Sequence, residues 1–227
     1  MEISVTLSAN AGVALHIGGH RIWVDALHTG KQPGFSTLTP QLQRQMLQVD
    51  SFQKPEYICY THDHPDHYSK QLTEVAQNLN PRAQVLLPER DWGTERYFAD
   101  GDLKLRFVRL PHEGEQYADV LHYGLIISCQ GYNVLLSGDC AVASDALANG
   151  IKDIPIHLAL LDFPWATLQK GRKFLQQYLV GAQIALIHLP FAEDDGNDYR
   201  IAAANAAKLI PNCQLLCDPF ETKRINI

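Results

Sequence analysis

The chain has 227 residues, a formal net charge of −6 and a hydrophobic content of 46%. This composition is typical of a globular protein with a buried core, and the acidic balance without a basic block disfavours a nucleic-acid partner held by phosphate contacts. With no apolar run of membrane-spanning length and no signal-peptide pattern, we expect no membrane partner. Five cysteines without a CxxC pair favour a reducing cytoplasm over a disulfide framework.

The N-terminal part predicts an antiparallel meander of three strands, over residues 3–7, 13–17 and 21–24. Asp25 directly follows the third strand, so its side chain could be buried and bonded to nearby backbone, although a plain turn aspartate fits equally well. The next loop, residues 26–38, is long enough to be functional. Within it, His28 and Phe35 are candidates for a substrate pocket, with a simple surface excursion as the alternative.

The most distinctive stretch is THDHPDH at residues 61–67, which follows a short apolar strand and contains three histidines and two aspartates. Imidazole nitrogens and carboxylate oxygens are the ligands that zinc and similar ions prefer. His62 and His64 are two residues apart, so they point to the same side of an extended backbone. Asp66 and His67 are adjacent and project in different directions. One loop can therefore offer ligands to two ions.

Three later strands also end beside a residue that can bind a metal. The predicted strands cover residues 103–110, 132–136 and 183–187, and the residues that follow them are His112, Asp139 and His188. His122 competes with His112, but it lies at the start of a strand, so we favour His112.

Helices are predicted between and after these strands. Pro65 is suited to a first helical position, and Gly150 to a helix end. The predicted helices cover residues 40–49 with Thr39 as cap, 68–79, 141–149, 165–180 and 198–210, and residues 92–99 are predicted to be irregular or a helical turn. The first half is rich in strands and the second alternates strand with helix, which indicates an α/β protein with two sheets covered by helices.

The order and spacing of these residues resemble the metallo-β-lactamase superfamily of hydrolases over nearly the whole chain. The resemblance rests on Asp25, on the Thr-His-x-His-x-Asp-His motif and on the later His, Asp and His. It implies a four-layer αββα sandwich of the metallo-β-lactamase/RNase Z-like kind, in a single domain over residues 1–227. It also implies a dinuclear metal site at one edge of the sheets.

The same resemblance implies a role for each candidate ligand. The first metal would be held by His62, His64 and His112, and the second by Asp66, His67 and His188. Asp139 would bridge both metals, and Asp25 would brace the central loop. Since true lactamases carry cysteine where this chain has Asp139, the resemblance points to the wider hydrolase group.

This chemistry predicts a metal-dependent hydrolase. Two divalent ions, zinc by preference with Mn²⁺ or Fe²⁺ as alternatives, would hold a hydroxide that cleaves an ester, thioester, lactone, amide or phosphodiester bond in a small-molecule substrate. Asp66 would orient this hydroxide while it binds metal, and His28 is a candidate general acid. The alternatives are an iron-dependent oxidoreductase similar to sulfur dioxygenases and a non-catalytic, metal-stabilised binding module.

Overall fold

The computed structural model describes residues 2–226, which form two compact units. The first unit contains the chain up to Leu87, His188–Arg200 and the segment from Leu216 onward, and the second contains Pro88–Ile187 and Ile201–Leu215. Within the described residues there are two sheets and six α-helices. The predicted mixed α/β class with two sheets is confirmed, and the single domain over residues 1–227 stays a prediction.

The first unit is built on a six-stranded sheet with the order β13-β1-β2-β3-β4-β5. Its strands are β1 (Glu2–Leu7), β2 (Val13–Ile17), β3 (His20–Val24), β4 (Tyr57–Cys59), β5 (Gln84–Leu86) and β13 (Thr222–Asn226). Strands β1 to β3 form the predicted antiparallel meander, and β3, β4 and β5 are parallel. Strand β13, which the sequence did not indicate, pairs with β1 in antiparallel register.

Two helices of the first unit follow its loops, α1 (Pro40–Met46) and α2 (Lys70–Leu79). As predicted, Thr39 caps α1 and accepts a hydrogen bond from the Leu42 N–H. The helix predicted over residues 68–79 is confirmed as α2, but Pro65 is not its first residue, because Ser69 caps it. The N–H groups of His67 and Tyr68 both donate to the His64 carbonyl, and this closed turn separates the histidine loop from the helix.

The second unit is built on a seven-stranded sheet with the order β12-β11-β10-β9-β8-β7-β6. Its strands are β6 (Glu95–Asp100), β7 (Leu103–Arg109), β8 (Tyr123–Cys129), β9 (Tyr132–Leu136), β10 (Leu158–Asp162), β11 (Gln183–Ile187) and β12 (Cys213–Leu215). Strands β6 to β9 are antiparallel, and β9 to β12 are parallel. The irregular segment predicted at residues 92–99 is wrong, because most of it forms β6, where Phe98 packs against Phe107 of β7.

The remaining helices are α3 (Asp145–Ile151), α4 (Pro164–Thr167), α5 (Gln169–Tyr178) and α6 (Tyr199–Ala207). Gly150 does not end its helix as predicted but lies inside α3, where a Cβ atom would meet Val108 of β7 at 3.1 Å. The single helix predicted over residues 165–180 is also wrong. Leu168 has extended backbone angles and separates α4 from α5. No helix in the described part of the chain is long and apolar enough to cross a membrane.

Candidate metal centre

The loop at residues 61–67 brings its histidines together in the first unit. The ring of His62 lies 4.5 Å from that of His64 and 4.2 Å from that of His67, measured between centroids. His62 and His67 are fully buried, and Asp66 is also buried. A buried cluster of imidazoles and a carboxylate is a typical donor set for a divalent ion.

The carboxylate of Asp25 holds this loop in place. Its Oδ1 accepts a hydrogen bond of 2.8 Å from the Thr61 N–H, and its Oδ2 accepts one of 2.7 Å from the Thr61 hydroxyl. The same Oδ2 lies 3.1 Å from Nδ1 of His67. Asp25 is 2% exposed and adopts a left-handed φ of 51°, which aspartate tolerates better than most residues. Three contacts to one buried carboxylate therefore fix where the loop begins and how His67 is oriented.

These contacts determine which ring nitrogen of two histidines carries the proton. A carboxylate oxygen only accepts, so Nδ1 of His67 must be the N–H that donates to Asp25. The Thr61 hydroxyl gives its proton to Asp25, so its oxygen accepts from Nδ1 of His62 at 2.9 Å. In both rings Nε2 then carries the lone pair that a metal ion requires.

His188 joins Asp66 and His67 at the end of β11. Its Nε2 lies 3.9 Å from Oδ2 of Asp66, and its ring is 5.4 Å from that of His67 in a nearly parallel arrangement. One ligand atom from each of these three residues lies within 4.8 Å of the other two. This His/Asp cluster is consistent with the binding of a divalent metal ion.

Asn10 is a residue of this region that sequence reasoning missed. It is fully buried with a φ of 53°, and its carbonyl accepts a hydrogen bond of 3.0 Å from the His188 N–H. His188 itself has a φ of 57°. Asn10 lies between the first two predicted strands, and no local signal in the sequence links it to His188, which is far away along the chain.

In the second unit, His112 and Asp139 lie side by side. Nε2 of His112 is 3.6 Å from Oδ2 of Asp139. The loops after β7 and β9 are joined by a hydrogen bond of 2.8 Å from the Glu113 N–H to the Asp139 carbonyl. Nδ1 of His112 lies 2.8 Å from the Glu113 carbonyl. A carbonyl only accepts, so Nδ1 donates this bond, and Nε2 is the ring nitrogen that faces Asp139.

His122 occupies a different position from its competitor. It is fully buried, and its Nδ1 donates to the Leu110 carbonyl at 3.3 Å. Its ring lies 5.5 Å from that of His112. Nε2 of His112 lies 3.6 Å from the Asp139 carboxylate, which keeps His112 as the favoured candidate.

His28 lies in the interior rather than on an open surface. It is fully buried, and its Nε2 donates to the Ala9 carbonyl at 3.2 Å. Burial, with a smaller contribution from nearby His67, lowers the pKa of His28 to about 4. The ring is therefore neutral and enclosed near neutral pH, which makes it unsuited to act as a general acid on a substrate.

Phe35 lies next to a candidate ligand. Its ring is 4.7 Å from that of His188 and 5.7 Å from that of Tyr199, on which it stacks. The neighbouring Ser36 fixes the loop, because its hydroxyl donates to Asp194 at 2.8 Å and accepts from the Phe191 N–H at 2.7 Å. Phe35 and Tyr199 thus form an aromatic wall beside His188.

The model of one protein family, described as a beta-lactamase superfamily domain, matches residues 20–172. The chain belongs to the metallo-β-lactamase superfamily. The match covers β3, the histidine loop, His112 and Asp139, and ends before His188. No curated protein sequence matches the chain significantly.

Several solved structures share the fold of this chain at low sequence identity. A possible metal-dependent hydrolase from Veillonella parvula is 15% identical with a TM-score of 0.63, over 98% of this chain and 99% of its own. The metallo-β-lactamase fold protein YhfI from Bacillus subtilis is 12% identical with a TM-score of 0.62, over 98% and 99%. CmlA, a diiron β-hydroxylase from Streptomyces venezuelae, is 11% identical with a TM-score of 0.60, over 99% of this chain and 54% of its own.

Proposed function

We propose that this superfamily member is a hydrolase that uses two divalent metal ions, with zinc as the preferred metal. One ion would be held by His62, His64 and His112 and the other by Asp66, His67 and His188, with Asp139 as the bridge. The observation that carries the proposal is the hydrogen bonding of the histidines at Nδ1. Bonds at Nδ1 leave Nε2 of His62, His67 and His112 as the lone-pair nitrogen.

The donor set fits zinc or a similar ion by its chemistry. Neutral imidazoles and carboxylates are borderline and hard donors, which zinc, manganese and ferrous iron all accept. Histidine ligands usually donate their second ring N–H to a carboxylate, a carbonyl or a hydroxyl. The partner is the Asp25 carboxylate for His67, the Glu113 carbonyl for His112 and the Thr61 hydroxyl for His62.

When bound, two such ions supply an acidified water and a Lewis acid for the bond to be cleaved. The residues of the chain would arrange this chemistry. Asp25 keeps the histidine loop rigid, and an oxygen of the Asp66 carboxylate would accept a hydrogen bond from the attacking water and orient it. The aromatic wall of Phe35 and Tyr199 would exclude bulk water beside His188.

A small molecule fits this site better than a nucleic acid. The chain carries a net charge of −6, and phosphate backbones are bound mainly by clusters of lysine and arginine. The half-buried Phe35 offers an apolar surface beside His188. We therefore propose an ester, thioester, lactone, amide or phosphodiester substrate with an apolar group next to the bond to be cleaved.

The proposal is tested with purified full-length protein and its metal-stripped form. A panel of esters, thioesters, lactones, amides and phosphodiesters is assayed before and after zinc or manganese is added back. We expect at least one class to be cleaved only by the metal-loaded protein, and His64→Ala to lower that activity more than 100-fold, in the range expected for loss of a catalytic metal. Asp63→Ala, an exposed residue of the same loop, is the control. Equal activity of the stripped and loaded forms would refute the proposal.

The alternative is an iron-dependent oxidoreductase on the same scaffold. This alternative is supported by the structural similarity of the chain to CmlA, a diiron β-hydroxylase. Metal analysis of the isolated protein, combined with an optical spectrum and an oxygen electrode, distinguishes the two functions. A hydrolase consumes no oxygen whichever metal it holds, whereas an iron oxidoreductase contains iron that absorbs visible light when oxidised and consumes oxygen during turnover.

We also propose that the protein works in the cytoplasm. All five cysteines are free thiols, namely Cys59, Cys129, Cys140, Cys213 and Cys217. Burial raises the pKa of the Cys59 and Cys140 thiols, so these thiols stay protonated and unreactive. Cell fractionation tests this location, and recovery in an oxidising compartment would contradict it.

A further inference from the structure

An apolar cavity lies between helices α1 and α2 of the first unit. Its volume is about 630 Å³, within the range of sites that bind small molecules. It lies among residues of β3, both helices and the turn at residues 50–52. Its apolar lining includes Trp23, Leu38, Met46, Phe52, Leu72 and Leu79.

Helix α2 and the residue that follows α1 expose apolar side chains to this cavity instead of burying them. Leu47 is 57% exposed, Val75 50% and Leu79 60%, and all three line the cavity. In α2 the residues Leu72, Val75, Ala76 and Leu79 follow the spacing of one helix face. Clustered apolar side chains of this kind on a protein surface are typical of a binding site.

The polar lining residues divide into two groups. The amides of Gln43, Gln53 and Asn80 each donate to a backbone carbonyl of the protein, at 2.9 Å or less. Arg44 and Lys54 have no hydrogen bond or ion pair of their side chains with any residue of the described part of the chain. No acidic residue lines the cavity. In a protein of net charge −6, two cations with no acidic neighbour in the lining attract an anion.

We propose that this cavity binds a free, medium-chain fatty carboxylate. The apolar tail occupies the space between α1 and α2, and the carboxylate pairs with Arg44 and Lys54. An apolar chain removes Leu47, Val75 and Leu79 from water, which is favourable in proportion to the area buried. The two cationic side chains favour a ligand with a carboxylate over a neutral one of the same length.

Binding is measured on the full-length protein by isothermal titration with octanoate, decanoate and dodecanoate below their micelle concentrations. We expect affinity to rise up to about fourfold for each added methylene until the cavity is full. Tryptophan fluorescence gives a second signal, because Trp23 lines the cavity. Neither measurement depends on metal or on hydrolysis, so failure of this proposal is separate from failure of the proposed hydrolase.

Charge selectivity is tested with the double variant Arg44→Gln/Lys54→Gln. We expect dodecanoate to bind about tenfold more weakly, as two exposed ion pairs are lost, while dodecanol binds as before. The matched control is Arg82→Gln/Lys104→Gln, which removes two exposed cations that do not line the cavity. A double variant that binds dodecanoate as tightly as the wild type would overturn the proposal.

The place of binding is tested with Leu79→Glu, which puts a negative charge at the cavity. We expect loss of dodecanoate binding, whereas Ile201→Glu, at an equally exposed position on α6, keeps it. Light scattering is recorded on the same samples. If the wild type binds no carboxylate and is a dimer, while Leu79→Glu is a monomer, a second copy of the chain covers the cavity and the proposal is refuted. Binding only to anionic vesicles would equally refute a free ligand.

Discussion

The contacts of Asp25 make Asp25→Asn the sharpest test of how the histidine loop is held. The carboxylate accepts from the Thr61 N–H, the Thr61 hydroxyl and Nδ1 of His67. An amide keeps one acceptor for the Thr61 N–H and turns an NH₂ group toward the other two donors. A buried donor left without an acceptor costs about 1–3 kcal/mol, so the two lost bonds predict a destabilisation of about 2–6 kcal/mol.

Urea unfolding of the metal-stripped protein, followed by circular dichroism, measures this change. The loss of the His67 contact is also expected to weaken zinc affinity about 10–100-fold in a competition assay with a coloured chelator. Asp63→Asn is the control, because Asp63 is exposed in the same loop. A destabilisation of Asp25→Asn below about 0.5 kcal/mol, the level of a neutral surface change, together with unchanged zinc affinity would refute the reasoning.

Three further predictions concern a buried histidine, a close backbone contact and the choice between two histidines. The pKa of His28 is lowered from 6.5 to about 4 by burial, so the unfolded chain binds the proton first and stability falls as pH drops from about 6.5 toward 4. Between pH 7 and 5 this predicts a loss of about 2 kcal/mol in urea unfolding of the metal-stripped protein. His28→Gln keeps a donor for the Ala9 carbonyl and should remove this loss of about 2 kcal/mol. If the variant loses as much stability as the wild type between pH 7 and 5, His28 is not the cause. Gly171→Ala places a Cβ in collision with the Trp165 carbonyl oxygen, whereas Gly196→Ala meets nothing within 4 Å. Thermal melts should show a cost of about 1–3 kcal/mol for the first and none for the second, and equal melts would refute the contact. His112→Ala should lower the metal content of the purified protein, while His122→Asn, which can still donate to Leu110, should keep it. The reverse result would assign the ligand to His122.

The candidate site was predictable where its signal is local. The residues at 61–67 lie together because they are close in sequence. His112, Asp139 and His188 could be named because each follows a recognisable apolar strand. The structure places His112 against Asp139 and His188 against Asp66. The residues that hold these ligands in place were harder to predict from the sequence. The hydrogen bond from His188 to Asn10, for example, joins distant parts of the chain.

The errors in secondary structure have physical causes of the same kind. Pro65 is a suitable first helical residue, but Ser69 caps the helix that forms. Gly150 is small because α3 packs closely on Val108 and not because the helix ends there. Strand β6 is stabilised by its partner β7, and β13 by its pairing with β1. The outcomes at Gly150, β6 and β13 each depend on a tertiary neighbour that local periodicity does not contain, whereas the Ser69 cap is a local signal that the sequence analysis did not use.

The metal stoichiometry of the protein tests the central claim most directly. Metal-stripped full-length protein is titrated with zinc, and the bound metal is quantified by mass spectrometry after the excess is removed. The proposed assignment predicts two zinc ions per chain in the wild type and fewer in His67→Ala, which removes a ligand of the second ion. A wild type that binds no zinc, manganese or iron, or a His67→Ala protein that still binds two ions with unchanged affinity, would contradict it.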